Sequence, residues 1–179
     1  MSDPIGFLSV RRHPEHGYFG GYLIVNALAR PLEFHCTMPV RPTRAQQLLY
    51  GHTLDDFLCG EQIAVAMYHK AKLKPTWVFT DCHAALAGEA ALANTRFVYL
   101  DTSSELAESA GVLASPGGRL PMRPLRVGQH KLHVLADSPA TPEDLEACLA
   151  GLAKYFELTE PFQRVLDALR EAHPVTRAA

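Results

Sequence analysis

Asp81, Cys82 and His83 are consecutive residues whose side chains are well suited to catalysis. They follow a short apolar run and precede an alanine-rich segment, so the sequence places them between a strand and a helix. A thiol in the first turn of a helix can have a lowered pKa, which would make Cys82 a nucleophile. Adjacent helical residues point about 100° apart, so its partner histidine would be His35 or His133. The sequence favours a simpler alternative, in which Asp81 caps the helix and Cys82 is a buried thiol.

Asp101 extends this candidate site, because it ends the apolar run 96–100 as Asp81 ends the preceding one. Carboxylates at the ends of neighbouring parallel strands would stand side by side. Such a pair can hold Mg²⁺ or act as an acid and a base. Helix capping is again the favoured alternative, since Thr102 and Ser103 follow Asp101. No glycine-rich phosphate-binding loop accompanies either acid.

Glu33 and His35 form a second candidate pair within residues 32–40. They are two residues apart in a predicted strand and therefore share one face. A neighbouring carboxylate orients an imidazole and raises its pKa, which suits a general base. We favour the interpretation that this face meets solvent. The opposite row is predicted to face the core and consists of Leu32, Phe34, Cys36, Met38 and Val40.

Tyr18, Phe19 and Tyr22 surround a glycine pair in the predicted hairpin 17–42. Aromatic residues at the rim of a hairpin are enriched at interfaces, so this cluster, with Glu33 and His35, is a predicted binding surface. The alternative is that the three rings pack in the core and the glycines form a bulge.

The elements that must position these residues predict one mixed α+β (α/β) domain spanning residues 1–179. Residues 103–120 include a helix and a flexible connection at 115–118, so 120–179 could form a C-terminal subdomain. The predicted elements are an antiparallel meander (5–12, 22–27 and 32–40), helices 44–49 and 53–73, a βαβ unit over 77–100, helix 103–110, hairpin 124–136, and C-terminal helices 141–156 and 159–173.

Composition excludes several classes of function. The net charge is −2, so we expect no nucleic-acid partner and no attraction to anionic membranes. The N-terminus does not resemble a signal peptide and no run is long enough to span a membrane, which predicts a cytoplasmic protein. The four cysteines are widely spaced and are predicted to be free thiols. We expect no bound metal and no cofactor.

Two functional hypotheses follow from the sequence. The first is a binding or assembly module that associates with itself or with a protein partner through the hairpin. The second is a small hydrolase or transferase that uses Cys82 as a nucleophile, or Asp81 and Asp101 as metal ligands or acids, with His35 or His83 assisting. We favour the first, because each candidate catalytic residue also has a structural explanation.

Overall fold

The computed structural model describes residues 3–152 and 156–177, in which the strands form one mixed seven-stranded sheet. The strands are β1 (Ile5–His13), β2 (Gly17–Val25), β3 (Pro31–Cys36), β4 (Trp77–Thr80), β5 (Arg96–Tyr99), β6 (Met122–Val127) and β7 (His130–Leu135). The α-helices are α1 (Arg44–Tyr50), α2 (Val65–Lys70), α3 (Ser103–Ala110), α4 (Pro142–Leu149) and α5 (Glu160–Ala172). The predicted mixed α+β class is confirmed.

The order of strands is β3-β2-β1-β4-β5-β7-β6, and helices cover both faces. Side chains alternate along β1: Phe7 packs in the cluster that includes α4 and α5, whereas Leu8 and Val10 pack in the cluster that includes α2. Each face of the sheet is therefore a core layer. Within the described residues, no helix is long and apolar enough to cross a membrane.

The antiparallel meander and the βαβ unit are both confirmed. β1 pairs with β2 from Ile5–Val25 to His13–Gly17, and β3 pairs with β2 on the outer side. β4 lies parallel to β1 on one side and to β5 on the other. Leu8 is paired with Thr80, so the second half of β1 passes beside the carboxyl end of β4.

The helical region after β3 follows the prediction at its start and departs from it later. Thr43 caps α1 through a reciprocal capping box with Gln46, as expected. Thr53 does not cap the next helix, because its hydroxyl donates to Tyr50 O instead. The chain continues through π-helical turns at Asp56–Ala64 into α2, which ends at Lys70 rather than near residue 73.

Two glycines let these turns pack closely against the 3-10 helical segment His83–Ala91. A Cβ on Gly60 would lie 2.6 Å from Ala87 Cβ, and a Cβ on Gly88 would lie 2.7 Å from Gly60 O. The connection between β4 and β5 is therefore held close to the sheet, which fixes the positions of residues at its start.

The hairpin of β6 and β7 joins the main sheet, because Tyr99 of β5 pairs with His133 of β7. Gly128 adopts a left-handed conformation in the turn (φ 57°). α4 begins at the predicted proline with a capping box from Thr141 to Asp144. It ends at Leu149, short of the predicted 156, and residues 153–155 of that prediction lie outside the described residues.

The predicted facing of β3 is wrong for most of the row, although Cys36 does pack against the core layer that includes α5. Leu32, Phe34 and Met38 are 47%, 38% and 75% exposed, although they were expected in the core. β3 is the outermost strand and ends at Cys36, so Met38 lies beyond it. The other face is the covered one, because the chain after α2 packs against Glu33.

Candidate active site

A cleft of about 430 Å³ opens where β4 and β5 end. Ligands of open α/β sheets bind at this edge, outside the carboxyl ends of parallel strands. Helix α3 forms one wall and the segment 115–117 forms another. The polar side chains that line the cleft are Arg11, Asp81, His83, Tyr99, Asp101, Thr102, Ser103 and Ser115.

A buried ion pair between Arg11 and Asp81 lies at this cleft. Each residue is only 3% exposed. Arg11 Nη1 donates to Asp81 Oδ1 at 3.2 Å, and Nη2 pairs with Oδ2. The Ser9 hydroxyl donates to Oδ1 at 2.7 Å and the Thr102 hydroxyl donates to Oδ2 at 3.1 Å. The carboxylate thus accepts four hydrogen bonds, which is about its full capacity.

The register of β1 against β4 brings Arg11 to this position. Ser9 and Arg11 are two residues apart on β1 and project to the same side, next to the end of β4. Sequence reasoning missed both residues, as well as Tyr99 and Thr102. The sequence offers only a weak signal, because Arg11 stands next to Arg12 and His13 at the polar end of β1. Alternation along the strand puts Arg11 on the same side as Phe7, where burying a charged residue requires a partner.

His83 is held in a tautomer that leaves a basic nitrogen free. Its Nε2 lies 2.9 Å from the Leu120 carbonyl, which can only accept, so Nε2 carries the proton. Nδ1 therefore carries the lone pair, as a general base requires, and it has no hydrogen-bond partner among residues 3–152 and 156–177. The backbone of Gly118 packs against the ring: a Cβ there would lie 2.7 Å from His83 Cδ2. The Ser115 hydroxyl donates to Asp81 O at 2.9 Å and ties the same segment to β4.

Tyr99 stands between two histidines. Its ring centroid lies 5.8 Å from that of His83 and 6.0 Å from that of His133. Burial raises the pKa of Tyr99 to about 12, so the phenol keeps its proton at neutral pH. Burial also lowers the pKa of His133, with help from nearby Lys131. Nδ1 of His133 is buried without a hydrogen-bond partner in the described part of the chain.

Asp101 lies in the cleft but is engaged in local hydrogen bonds. Its Oδ1 accepts from the backbone N–H of Ser103 at 2.9 Å. Hydrogen bonds from the Ser103 side chain and backbone lower the pKa of Asp101. Asp101 thus holds the first residue of α3, but it is not the cap that the alternative proposed, because Thr102 occupies the N-cap position and makes no side-chain cap hydrogen bond. The structure therefore brings together Asp81, His83 and Asp101 of the predicted site residues.

Cys82 points away from this cleft. It is fully buried in the core layer that includes α2, and its thiol lies 3.7 Å from Pro116 O. A hydrogen bond with Cys82, together with burial, raises the pKa of the neighbouring Cys59. Cys82 itself has an extended backbone (φ −115°, ψ 109°) and precedes the 3-10 helical segment. It therefore does not lie in a first helical turn, and Asp81 does not cap a helix.

Glu33 and His35 form a pair on β3, which β2 and β1 separate from β4. His35 Nε2 lies 2.9 Å from Glu33 Oε2. The Glu33 carboxylate also accepts from the backbone N–H groups of Lys72 and Leu73, at 3.0 and 2.7 Å. The hydrogen bond with His35 and these two lower the pKa of Glu33 to about 2. The pair anchors the chain after α2, and the expectation that this face meets solvent is wrong.

The aromatic cluster is part of the core. Tyr18, Phe19 and Tyr22 are 4%, 0% and 0% exposed. The Tyr18 hydroxyl donates to Asp55, and the Tyr22 ring packs directly over Gly6, where a Cβ would lie 2.7 Å from it. The predicted aromatic binding surface is therefore wrong. The alternative is correct for the three rings but not for the glycines, because Gly20 and Gly21 pair in regular register with Val10 and Ser9 and the irregularity of β2 lies between Ile24 and Val25.

Solved structures of endonuclease V are similar to this chain in fold. Human endonuclease V gives a TM-score of 0.56 at 13% identity, over 99% of this chain and 87% of that one. The catalytic domain of human endonuclease V gives 0.51 at 14% identity, over 96% and 82%. Ciona intestinalis endonuclease V, in complex with a 23mer DNA containing an inosine followed by a ribo-adenosine, gives 0.52 at 13% identity, over 95% and 85%.

The fold is that of endonuclease V. Neither a protein-family profile nor a curated protein sequence matches the chain. The prediction of a protein-binding or self-associating assembly module is wrong, because the endonuclease V fold agrees better with the hydrolase alternative. The prediction that nucleic acid is not a partner is also contradicted, since the Ciona enzyme holds DNA. Net charge describes the whole surface, whereas a substrate cleft is only a small part of it.

Nucleases often use divalent cations held by carboxylates, so the endonuclease V fold raises the question of a metal. The side chains of this cleft do not fit one. Asp81 is saturated by hydrogen bonds and lies against a guanidinium, and Asp101 is engaged by Ser103. Across residues 3–152 and 156–177, no group of three or more His, Cys, Asp or Glu side chains is arranged to hold a metal ion.

Proposed function

We propose that this chain is a nucleic-acid-acting hydrolase and that its substrate binds in the cleft at the ends of β4 and β5. The observation that carries the proposal is a cleft at this edge of an endonuclease V fold, with Arg11, His83 and Tyr99 among the residues that line it. His83 lines the cleft with one ring nitrogen free, as acid–base chemistry requires. The DNA held by the Ciona enzyme supports a nucleic-acid strand as the class of substrate.

The proposed reaction is hydrolysis of a phosphodiester bond. A water oxygen attacks phosphorus while Nδ1 of His83 takes its proton. The bond from phosphorus to the leaving oxygen breaks, and that oxygen takes a proton from Tyr99, whose high pKa keeps the phenol protonated until then. Water supplies the oxygen that enters, so the step needs no further reactant.

Cleavage of labelled oligonucleotides tests this proposal. The substrates are single- and double-stranded DNA and RNA, each with and without an inosine, and the readout is gel electrophoresis. We expect one of these classes to be cut, and His83→Gln to lower the rate by about 10²- to 10⁴-fold, the usual contribution of general acid–base catalysis. His52→Gln, at an exposed histidine outside the cleft, is the matched control.

Two results would contradict the proposal. One is that none of the oligonucleotides is bound or cut. The other is that His83→Gln cuts as fast as the wild-type protein, which would remove His83 from the reaction.

A second candidate function is binding of nucleic acid without cleavage. The Arg11–Asp81 ion pair favours this second function, because the Asp81 carboxylate is held in the ion pair and cannot act as a base. Fluorescence anisotropy with the same oligonucleotides separates the two candidates: the second predicts saturable binding and no product.

The proposal includes a cytoplasmic location. The support is that all four cysteines, Cys36, Cys59, Cys82 and Cys148, are free thiols, as is usual in a reducing compartment. Cell fractionation with an antibody against the chain tests it.

A further inference from the structure

We infer that Arg11 is a built-in cation of the cleft, which binds a phosphate group of the nucleic acid directly and makes a bound divalent cation unnecessary. This inference rests on the proposed function, because it names the group that recognises the substrate. It concerns the floor of the cleft, where the Arg11–Asp81 pair lies.

The hydrogen bonds of Arg11 leave one edge of its guanidinium unused. A guanidinium has five N–H donors. Nη1 donates to Asp81 Oδ1 and, at 3.5 Å, to Val10 O, and Nη2 donates to Asp81 Oδ2. The Nε–H is buried and has no partner among the described residues. The Nε–H and the second N–H of Nη2 are therefore left over.

These two N–H groups lie on the same edge of the guanidinium and run parallel. That is the fork with which arginine binds two oxygens of one phosphate or carboxylate. The end of the Arg11 guanidinium thus binds Asp81, and we propose that its unpartnered side binds a second anion. The residue is 3% exposed and still lines the cleft, so an oxygen that reaches the cleft floor would meet a donor with little competition from water.

The same pair makes the cleft a poor site for a divalent cation. Mg²⁺ requires oxygen ligands in near-octahedral geometry. To bind Asp81 it would have to replace the hydrogen bonds from Ser9, Thr102 and Arg11. The displaced guanidinium would then be a buried charge beside a second cation. Both consequences are unfavourable, so the Arg11 guanidinium prevents a divalent cation from binding at Asp81.

The first test compares nucleic-acid binding with and without a divalent cation. Anisotropy titrations of the oligonucleotides are run in EDTA and in Mg²⁺, and binding of Mn²⁺ to the wild-type protein is followed by electron paramagnetic resonance. We expect equal affinity in both buffers and no saturable Mn²⁺ site. Affinity that requires Mg²⁺, or a stoichiometric Mn²⁺ site that Asp81→Asn removes, would overturn the inference.

The second test uses Arg11→Lys, which keeps the positive charge next to Asp81 and lacks the side fork. We expect this change to weaken binding by roughly ten- to a hundredfold, as loss of a charge-assisted hydrogen bond does. Arg126→Lys, at an exposed arginine on β6, is the matched control and should bind as the wild type does. Equal binding by Arg11→Lys and the wild-type protein would overturn the inference and leave the proposed function intact.

Inorganic pyrophosphate separates the inference from the proposed function. Its binding to the wild-type protein in EDTA is measured by ³¹P line broadening. Suppose that the protein binds pyrophosphate, that Arg11→Lys weakens this binding, and that no oligonucleotide is bound. That result would support the phosphate site and refute a nucleic-acid substrate. The comparison of EDTA with Mg²⁺ and the Mn²⁺ titration use the wild-type protein, so they can overturn the inference even if Arg11→Lys does not fold.

Discussion

Replacing Asp81 by asparagine should be among the most destabilising single changes in this chain. Asparagine keeps one acceptor oxygen, which can serve Ser9 and one Arg11 nitrogen. Its amide nitrogen then faces two donors, the other Arg11 nitrogen and the Thr102 hydroxyl. Arg11 would remain 3% exposed without a counter-charge, and removing one partner of a buried ion pair costs about 3–5 kcal/mol.

Urea unfolding followed by the fluorescence of Trp77, the only tryptophan, measures this change. Urea is uncharged and does not screen the ion pair. A loss of about 3–5 kcal/mol corresponds to a fall in Tm of roughly 10 °C for a domain of this size. Asp137→Asn, at an exposed aspartate, should change the free energy of unfolding by less than about 0.5 kcal/mol.

The double variant Arg11→Met, Asp81→Leu is the comparison for Asp81→Asn. It removes both charges together, so it should be far less destabilising than Asp81→Asn alone. A loss of less than about 1 kcal/mol for Asp81→Asn would refute the reasoning, because it would mean that the pair is solvated or that Arg11 finds another partner.

Three further measurements test other parts of the structure. Gly60→Ala should destabilise the protein by about 1–3 kcal/mol, because the new methyl group overlaps backbone atoms, whereas Gly117→Ala, with nothing within 4 Å, should be nearly neutral in the same urea assay. NMR titration of His133 should give a midpoint below the ordinary pKa of about 6.5, because burial disfavours the charged imidazole. As the pH drops below 6.5, the unfolded state therefore binds a proton before the folded state does, and the free energy of unfolding falls. The pKa of Glu33 is lowered from 4.5 to about 2 in the folded state, so its contribution to stability is present above pH 4.5 and is lost as the pH falls toward 2. The Glu33→Gln variant should therefore lose less stability than the wild-type protein over that pH range.

The parts of the fold that local signals determine were predictable from the sequence. Capping at Thr43 and Thr141 depends on residues three positions apart, and both capping boxes are present. The parallel pair β4 and β5 follows from two short apolar runs joined by a helical segment. Because the carboxyl ends of parallel strands meet at one edge, Asp81 and Asp101 were correctly expected at the same place.

The unpredicted parts depend on contacts between distant residues. Arg11 pairs with a residue 70 positions away, and only the register of β1 against β4 brings the two together. Period-two alternation identified the two rows of β3 but could not say which one is covered. That depends on where the chain runs after α2, which places Lys72 and Leu73 over Glu33.

The segment 115–120, whose first three residues form a wall of the cleft, has a consequence for proteolysis. Glycine and proline make this stretch resemble an exposed linker, yet Ser115 is bonded to Asp81, Gly118 packs on His83, and the backbone N–H of Arg119 donates to Asp56. Trypsin needs an extended, detached backbone to cut after Arg119. The rate of that cut therefore reports how often the wall separates from the sheet, and a bound substrate that holds the wall in place should slow it.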